Sequence, residues 1–262
     1  MYYIELLFIS SYVFLFNFMI DISIVSHRHE EFLPELLERL SDFQVSKVIV
    51  THNLQPRIAI KPIYNYELIQ IQNKHPKGFS ENHNRAFTYS DNEYFCILNP
   101  DITFLEDPFL KLLDCIKEPG VAIVGPLVLD PDRMIEDSYR RFPTPITLLC
   151  KLFSKSKKVF QCPDGDEGCY PDWLAGMFLL VPRKFYINLN GFDQSYYLYY
   201  EDVDLSIRAW KSGYKVKLCR QAQVIHNAQR QSHKDFIHFI WHLKSILLFF
   251  FKHLFRYPLR SQ

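Results

Sequence analysis

Residues 94–101 have the sequence Tyr-Phe-Cys-Ile-Leu-Asn-Pro-Asp, an apolar run that ends in a proline and a carboxylate. An apolar run this short predicts a strand that is buried on both faces, as in a parallel sheet. Ligands of open parallel sheets bind beyond the carboxyl ends of the strands. Asp101 therefore lies where a hard cation and a diphosphate would bind, although a carboxylate here could also simply cap the turn.

Segments with strand patterns and helix patterns alternate on both sides of this run. The predicted strands are 22–26, 47–51, 68–72 and 122–124, and the predicted helices are 30–40, 82–89 and 110–116. Alternation of this kind predicts βαβ units, and therefore an α/β fold with a mostly parallel central sheet and flanking helices.

The second half of the chain is less regular. Residues 173–182 predict one buried strand, and residues 202–211 predict a short helix that ends before Gly213. Two more strands are predicted at 215–218 and 223–225, followed by a long helix at 232–257. We expect one folded domain over 20–230, an apolar extension at 1–19, and a basic, aromatic C-terminal helix and tail at 231–262.

Composition and charge restrict the class of protein. The 262 residues are 48% hydrophobic and 16% aromatic, which is enough for a large core and unlike a disordered chain. With 8 glycines the chain contains neither a G-x-G-x-x-G motif nor a phosphate loop, so a nucleotide must be bound in another way. The net charge of +1 conceals an asymmetry, because residues 208–262 carry 11 Lys and Arg against one acid, Asp235. Such asymmetry indicates an anionic partner.

The six cysteines contain no Cys-x-x-Cys pair, although Cys162 and Cys169 flank an acidic loop. A zinc site would need two more ligands nearby, and the sequence offers none at regular spacing. We therefore expect reduced thiols, as in a cytosolic protein.

Residues 1–20 are almost entirely apolar and about long enough to span a bilayer. They lack the basic region and the small-residue cleavage site of a signal peptide. Met19 directly precedes the first predicted strand, which favours a natural start there, with the preceding residues as an upstream extension. The alternative is a single-pass anchor that continues into the sheet without a linker.

Glu201, Asp202 and Asp204 follow a run rich in tyrosine. Acids at a helix start are stabilised by the helix dipole without any further role. A carboxylate beside apolar rings is desolvated and becomes more basic, which suits a general base, and we favour this second interpretation. His226 follows the strand-like Val224-Ile225, where a lone histidine is more often a packed structural group than a ligand.

Several motifs occur together and in order: ISIVSHRHEEFLPELL, VIVTHN, GFSENHNRAF, LNPD, RRFPTP, DWLAGMFLLVPR, NGFDQSYYLYYEDVDLSIRAWKSGY and VIH. In this combination the sequence resembles the inverting family-2 glycosyltransferases, and most closely the bacterial rhamnosyltransferases that build O-antigen and related cell-surface polysaccharide. The resemblance covers roughly residues 20–245. It implies a GT-A-type, Rossmann-like nucleotide-diphospho-sugar transferase fold.

The resemblance also implies roles for the catalytic residues. Asp101 matches the metal-binding end of the family's D-x-D motif, and Asn99 stands at its first acid. Asp202 matches the general base, with Glu201 beside it as the less favoured candidate. His226 matches a histidine that completes the metal site, which reverses the structural interpretation given above. The implied cofactor is a divalent cation, Mg²⁺ or Mn²⁺.

Binding residues follow from the same resemblance. On the donor side, the matching positions are Ser26, His27, Asn53 and Asn84. Trp173 and Gly176 match the acceptor side. One departure is that His52 stands where the family normally has an aspartate that contacts the nucleotide base, which puts recognition of the base in doubt.

The implied activity is inverting transfer of L-rhamnose from dTDP-rhamnose to a lipid-linked saccharide of the polyprenyl diphosphate GlcNAc type. We expect a peripheral enzyme on the cytoplasmic face of the inner membrane. Its C-terminal helix would lie on anionic lipid, with a core helix that ends in a polar tail as the alternative. A weakly active or inactive homologue that acts as a scaffold is the second hypothesis. Nucleic-acid binding is disfavoured because apolar residues dominate the basic tail.

Overall fold

The computed structural model describes residues 20–56, 60, 64–148, 162, 169–227, 236–253 and 257–258. The expectations for residues 1–19 and for most of the basic tail outside 236–253 concern residues beyond these ranges. Within the described ranges, the chain folds into one large sheet with helices on both faces and a small two-stranded sheet beside it.

Ten strands and six helices are described, and we number each type in chain order. The strands are β1 (Ile20–Ser26), β2 (Lys47–His52), β3 (Glu67–Gln72), β4 (Tyr94–Leu98), β5 (Ile102–Phe104), β6 (Val121–Leu129), β7 (Tyr139–Arg140), β8 (Trp173–Leu174), β9 (Phe178–Pro182) and β10 (Lys215–His226). The helices are α1 (Leu33–Leu40), α2 (Phe79–Phe87), α3 (Phe109–Ile116), α4 (Arg183–Asn188), α5 (Glu201–Lys211) and α6 (Phe236–His253).

The large sheet has the strand order β3-β2-β1-β4-β9-β6-β10-β5. Strands β3, β2, β1 and β4 are parallel to one another, and β6 is parallel to β10. β9 runs antiparallel between β4 and β6, and β5 runs antiparallel along the end of β10. The predicted mostly parallel sheet with flanking helices is therefore confirmed.

The central strand β4 shows why the chain forms this layered core. Successive side chains of a strand point to opposite faces. Tyr94, Cys96 and Leu98 accordingly belong to the apolar cluster that also contains the buried residues of α1 and α3. Phe95 and Ile97 belong to the cluster on the other face, which includes buried residues of α4 and α5. Because both faces are covered, the strand reads as an uninterrupted apolar run.

Two strand predictions in the second half are wrong in detail. Residues 173–182 form two strands, since the Ala175–Met177 turn carries the chain from the pairing of β8 with β7 to the pairing of β9 with β4. The strands predicted at 215–218 and 223–225 are one strand, β10, with a register shift between Cys219 and Gln223 opposite Pro126. Proline has no N–H to donate to the ladder, so an irregularity at this point costs little.

The cysteine prediction is wrong for one pair. Cys162 and Cys169 form a disulfide with their Cα atoms 5.3 Å apart, a separation that suits such a bond. An isolated bridge to Leu218 of β10 holds Cys169 in place. Cys96, Cys115 and Cys219 are free and buried.

Candidate active site

Asp101 and His226 meet at one edge of the large sheet. Asp101 lies between β4 and β5, and β5 pairs with the end of β10 so that His226 is opposite Ile102. The N–H of Asn227 donates to the carbonyl of Asp101 at 2.9 Å. As a result, Nε2 of His226 lies 3.4 Å from Oδ1 of Asp101. The pairing expected from the resemblance is thus produced by a local antiparallel contact.

His226 is held between two carboxylates. On the side away from Asp101, its Nδ1 lies 2.9 Å from Oε2 of Glu136. Burial of the ring lowers its pKa, but the neighbouring carboxylates of Asp101 and Glu136 outweigh burial and raise the pKa to about 9. The two carboxylates thus favour a positive charge between them.

The residues at this edge fit a divalent cation in part. Oδ1 of Asp101 is buried and accepts no hydrogen bond of good geometry, which leaves a carboxylate oxygen available to a ligand. Carboxylate oxygen and imidazole nitrogen are suitable ligands for Mn²⁺, and oxygen for Mg²⁺. Among the described residues, no three His, Cys, Asp or Glu side chains converge as a metal site. Protein ligands here would thus be two, with the remaining positions left for substrate oxygens and water.

Asn99 links this edge to the next part of the site. Its backbone N–H donates to the carbonyl of Met177 at 2.8 Å, and its side chain is partly exposed. Met177 ends the turn that contains Gly176. The loop after β4 and the turn before β9 are therefore joined by a hydrogen bond.

Asp202 faces the same turn from the start of α5. Its Oδ2 accepts the N–H of Gly176 at 2.9 Å, and its Oδ1 accepts the N–H of Val203 at 2.8 Å. Burial raises the pKa of Asp202, while these two donors and the charge of Arg140 act in the opposite direction. The residue remains partly accessible, as a base that meets a substrate hydroxyl must be.

Gly176 lies close to both Phe79 and Asp202. A Cβ added there would lie 3.1 Å from Cζ of Phe79 and 3.6 Å from Cβ of Asp202. A side chain at this position would therefore be in tight contact with the ring of Phe79 and in ordinary van der Waals contact with Asp202.

Glu201, the acid next to Asp202, is enclosed by the protein. Its side chain is buried, and Oε2 has no hydrogen-bond partner. Burial, followed by the neighbouring charge of Asp202, raises the pKa of Glu201 well above its usual range. A protonated, enclosed carboxyl group is poorly suited to receive a proton from an acceptor.

The turn before α5 is strained and braced by α6. Tyr199 and Tyr200 have φ values of 71° and 68°, a left-handed conformation that is unfavourable for bulky residues. The hydroxyl of Tyr199 lies 3.0 Å from Nδ1 of His238, and the ring of Tyr200 packs against His242 and Phe249. Packing against α6 therefore holds the backbone that presents Asp202.

The predicted donor-side residues at the ends of β1 and β2 come together. The N–H of Asn53 donates to the carbonyl of Ser26 at 2.9 Å, and its side chain lies 3.1 Å from Nδ1 of the exposed His27. Asn53 also bonds the backbone of Lys77 and the side chain of Asn73. The hydroxyl of Ser26 is buried without a partner. These contacts order a group of polar side chains beyond the ends of β1 and β2.

Two further residues of this region have structural partners. His52 is buried, and its Nε2 lies 3.0 Å from Oε1 of Gln70 on β3. Asn84 donates to the carbonyl of Phe192 at 2.7 Å and accepts from Tyr186 and from the N–H of Phe192. The side chain of Asn84 is thus engaged with the segments after β9 and not with the other predicted donor residues.

Trp173 lies on the Asp202 side of the turn, as part of β8. Its indole N–H donates to the carbonyl of Arg141 at 3.0 Å, and the Arg140 guanidinium lies 5.4 Å from the ring centroid. The ring is partly exposed. Trp173 therefore places an aromatic surface beside Arg140, whose charge also acts on Asp202.

Sequence reasoning missed Glu136 and Arg140 as members of this region. Glu136 belongs to an acidic, polar stretch that looks like a solvated loop. Arg140 lies in the quoted RRFPTP motif, but nothing in its spacing points to Asp202. After β6 the chain folds back along that strand and brings both residues to the site. No local sequence pattern predicts this turn.

The raised pKa of Glu201 predicts a pH-dependent stability effect. A carboxyl group whose pKa is higher in the folded state binds a proton on folding, so stability falls as pH rises above the unfolded pKa. We expect Glu201→Gln to stabilise the fold relative to wild type, by a margin that grows between pH 5 and pH 8 at up to about 1.4 kcal/mol per pH unit. Urea unfolding at several pH values measures this margin.

The matched control is Glu38→Gln, an exposed glutamate on α1. Its stability difference from wild type should not change over the same pH range. A Glu201→Gln difference that is equally flat would contradict the assignment of a raised pKa to Glu201.

The sheet thus carries a carboxylate–histidine pair at its edge and an accessible carboxylate nearby. The sequence profile of the family "Glycosyl transferase family 2" matches residues 21–165, more than half of the chain. The protein belongs to this family and is a glycosyltransferase.

Comparison with curated proteins identifies relatives of known activity. The chain is 31% identical over 242 residues to the rhamnosyltransferase WbbL of Escherichia coli (strain K12), which covers 87% of this chain and 90% of that protein. It is 29% identical over 170 residues to the N-acetylglucosaminyl-diphospho-decaprenol L-rhamnosyltransferase of Mycobacterium tuberculosis, covering 60% of this chain and 55% of the relative. Within its family, the protein is close to bacterial rhamnosyltransferases.

Solved structures confirm the fold class. The mannosyltransferase PcManGT from Pyrobaculum calidifontis, in complex with GDP-Man and Mn²⁺, aligns with a TM-score of 0.61 at 13% identity, covering 92% of this chain and 66% of that one. GalNAc-T7 with UDP, GalNAc and Mn²⁺ aligns with a TM-score of 0.60 at 14% identity, covering 81% and 44%. The predicted GT-A-type, Rossmann-like fold is therefore confirmed.

Proposed function

We propose that the protein transfers L-rhamnose, with inversion, from dTDP-rhamnose to a saccharide carried on a polyprenyl diphosphate. The observation that supports this most directly is the pair Asp101–His226, which the contact between Asn99 and Met177 links to the turn that binds Asp202. The names of the Escherichia coli and Mycobacterium tuberculosis relatives support rhamnose as the sugar. The name of the second supports a GlcNAc-diphospho-lipid acceptor.

Asp101 and His226 are the residues that would hold a divalent cation, Mg²⁺ or Mn²⁺. GalNAc-T7 and PcManGT, which have a similar fold, were solved with Mn²⁺, and this supports a divalent cation of this kind. When bound, such a cation would act as a Lewis acid that neutralises charge on the diphosphate leaving group. Asn99 lies beside Asp101, and Ser26, His27, Asn53 and Asn84 are proposed to support the donor from the other side. Of these, Asn84 would act through the backbone of Phe192.

Asp202 is proposed to receive the proton of the acceptor hydroxyl. As that O–H bond breaks, the oxygen forms a bond to the anomeric carbon from the face opposite the diphosphate. The bond from the anomeric carbon to the diphosphate oxygen breaks in the same displacement, and dTDP leaves. Burial raises the pKa of Asp202 and makes it a stronger base than a solvated aspartate. Trp173 and Gly176 border the acceptor.

The test is a transfer assay with purified protein, Mn²⁺ and a series of nucleotide sugars, using a lipid-linked GlcNAc acceptor and detection by mass and NMR. We expect a single rhamnosyl product of inverted anomeric configuration. Transfer of a different sugar would overturn the donor proposal and leave the family assignment in place. Absence of both transfer and metal-dependent donor hydrolysis would favour the scaffold hypothesis.

A membrane surface is the proposed location of this reaction, on the cytoplasmic face of the inner membrane. None of the described helices combines the length and apolar character needed to cross a bilayer. One side of α6, however, exposes apolar side chains three or four residues apart: Phe236, Phe239, Leu243, Leu247 and Phe251. The opposite side packs on the domain through Ser245, Phe249 and His253. The excess of basic residues after residue 207 adds attraction to anionic lipid.

The membrane proposal predicts a loss of vesicle binding when α6 is made more polar. Burying a leucine is worth about 1.5–3 kcal/mol, so Leu243→Ser with Leu247→Ser should weaken partitioning into phosphatidylglycerol vesicles by about tenfold or more. Sedimentation with vesicles measures this. The control is Leu110→Ser with Ile187→Ser, two similarly exposed residues on α3 and α4. Equal binding by both double variants would exclude α6 as the membrane contact.

A further inference from the structure

Glu136 contacts the ring of His226 on the side opposite Asp101. Nδ1 of His226 lies 2.9 Å from Oε2 of Glu136, while Nε2 lies 3.4 Å from Oδ1 of Asp101. The two nitrogens of an imidazole point in different directions, so the partner of one fixes where the other points. Glu136 therefore controls the direction of the nitrogen that faces Asp101.

The backbone of Glu136 is itself fixed by β6. Its N–H donates to the carbonyl of Val128 at 2.9 Å, and its carbonyl accepts the N–H of Ser138 at 2.8 Å. An isolated bridge between Leu129 and Ile135 reinforces the return of the chain. The side chain is 24% exposed, and thus mostly enclosed against His226. A carboxylate held in this way is preorganised before any ligand binds.

We propose that Glu136 is the positioning residue of the cation site. Its carboxylate accepts the Nδ1–H of His226, so that Nε2 points towards Asp101 and can bind a divalent cation once that cation displaces the Nε2 proton. The inference rests on the proposed function, because the cation belongs to the proposed glycosyl transfer. When the carboxylate partner of a metal-binding histidine is mutated, the metal affinity typically falls by about 10–100-fold.

The geometry also separates Glu136 from the cation. The imidazole ring lies between the carboxylates of Glu136 and Asp101, with one nitrogen on each. The role of Glu136 is therefore to orient a ligand and not to be one.

The experiment is a Mn²⁺ titration of the full chain with and without dTDP, followed by electron paramagnetic resonance. We expect Glu136→Ala to weaken Mn²⁺ binding by about 10–100-fold. Glu136→Gln should keep most of the affinity, because its amide oxygen still accepts the Nδ1–H. The control is Asp132→Asn, which removes one negative charge from an exposed position in the same loop. It should bind Mn²⁺ like wild type.

A second readout separates orientation from general damage. Electron spin echo modulation from a histidine nitrogen on Mn²⁺ should be present in wild type, absent in His226→Ala and weakened in Glu136→Ala. If Glu136→Ala does not fold in chelator, Glu136→Asp replaces it, and the same direction of change is expected because the carboxylate is drawn back from Nδ1.

Two failures can be told apart. Wild type that binds no Mn²⁺, even with dTDP, overturns the proposed cation site and this inference together. Wild type that binds Mn²⁺ with the same affinity and the same nitrogen modulation as Glu136→Ala overturns only the role of Glu136.

Discussion

Asp202→Asn is expected to reduce sugar transfer by about 10²–10⁴-fold, since a general base that cannot take up a proton loses about this much rate. The asparagine keeps an oxygen that can accept the N–H of Gly176, so the turn before β9 should stay in place. Nucleotide binding, measured by calorimetry with dTDP and Mn²⁺, should therefore change little. Steady-state transfer measures the loss.

The pH profile adds a second signature. Asp202 must be ionised to act, and burial raises its pKa, so wild-type transfer should rise with pH through that raised value. The residual transfer activity of Asp202→Asn should not show this rise with pH.

Glu201→Gln is the matched comparison for Asp202→Asn. The two acids are adjacent, but Glu201 is enclosed, and its Oε2 has no hydrogen-bond partner. We expect Glu201→Gln to retain most of the transfer activity. Near-normal turnover in Asp202→Asn, or a full loss in Glu201→Gln with Asp202 intact, would reverse the two roles.

Asp101→Ala is expected to abolish the metal dependence of the reaction together with most of its rate. Lewis-acid stabilisation of a leaving group is worth several kcal/mol, and about 1.4 kcal/mol corresponds to a tenfold change in rate. The loss should therefore be roughly 10²–10³-fold. Transfer is measured over a series of Mn²⁺ concentrations and in chelator.

The control for Asp101→Ala is Asp114→Ala, which removes an exposed carboxylate on α3. It should keep the Mn²⁺ dependence of wild type. An Asp101→Ala enzyme that remains active in excess chelator would show that the carboxylate of Asp101 does not serve a cation.

The position of the base depends on packing far along the chain. Tyr199 and Tyr200 adopt an unfavourable backbone conformation, and contacts with His238, His242 and Phe249 of α6 hold them there. If α6 lies on the membrane as proposed, one helix both contacts the lipid and supports the backbone that precedes Asp202.

Much of the sheet was predictable because its signals are local. The apolar run of β4 is buried on both faces, and its pattern shows this without any knowledge of neighbours. The antiparallel β9 between β4 and β6 was not predictable in this way, because strand order depends on pairings between distant segments. The Cys162–Cys169 bond joins residues at a sequence separation of 7, but this spacing by itself does not distinguish a disulfide from two free thiols.

The sequence by itself determined the alternation of strands and helices, the carboxylate beyond β4 and the acidic start of α5, since residue type and spacing encode them directly. Only the tertiary structure decided which groups face one another. It enclosed Glu201 and left Asp202 accessible, joined His226 to Asp101, and placed Glu136 behind the ring. The physical reason is that burial, hydrogen bonding and pKa depend on neighbours that are distant in the chain.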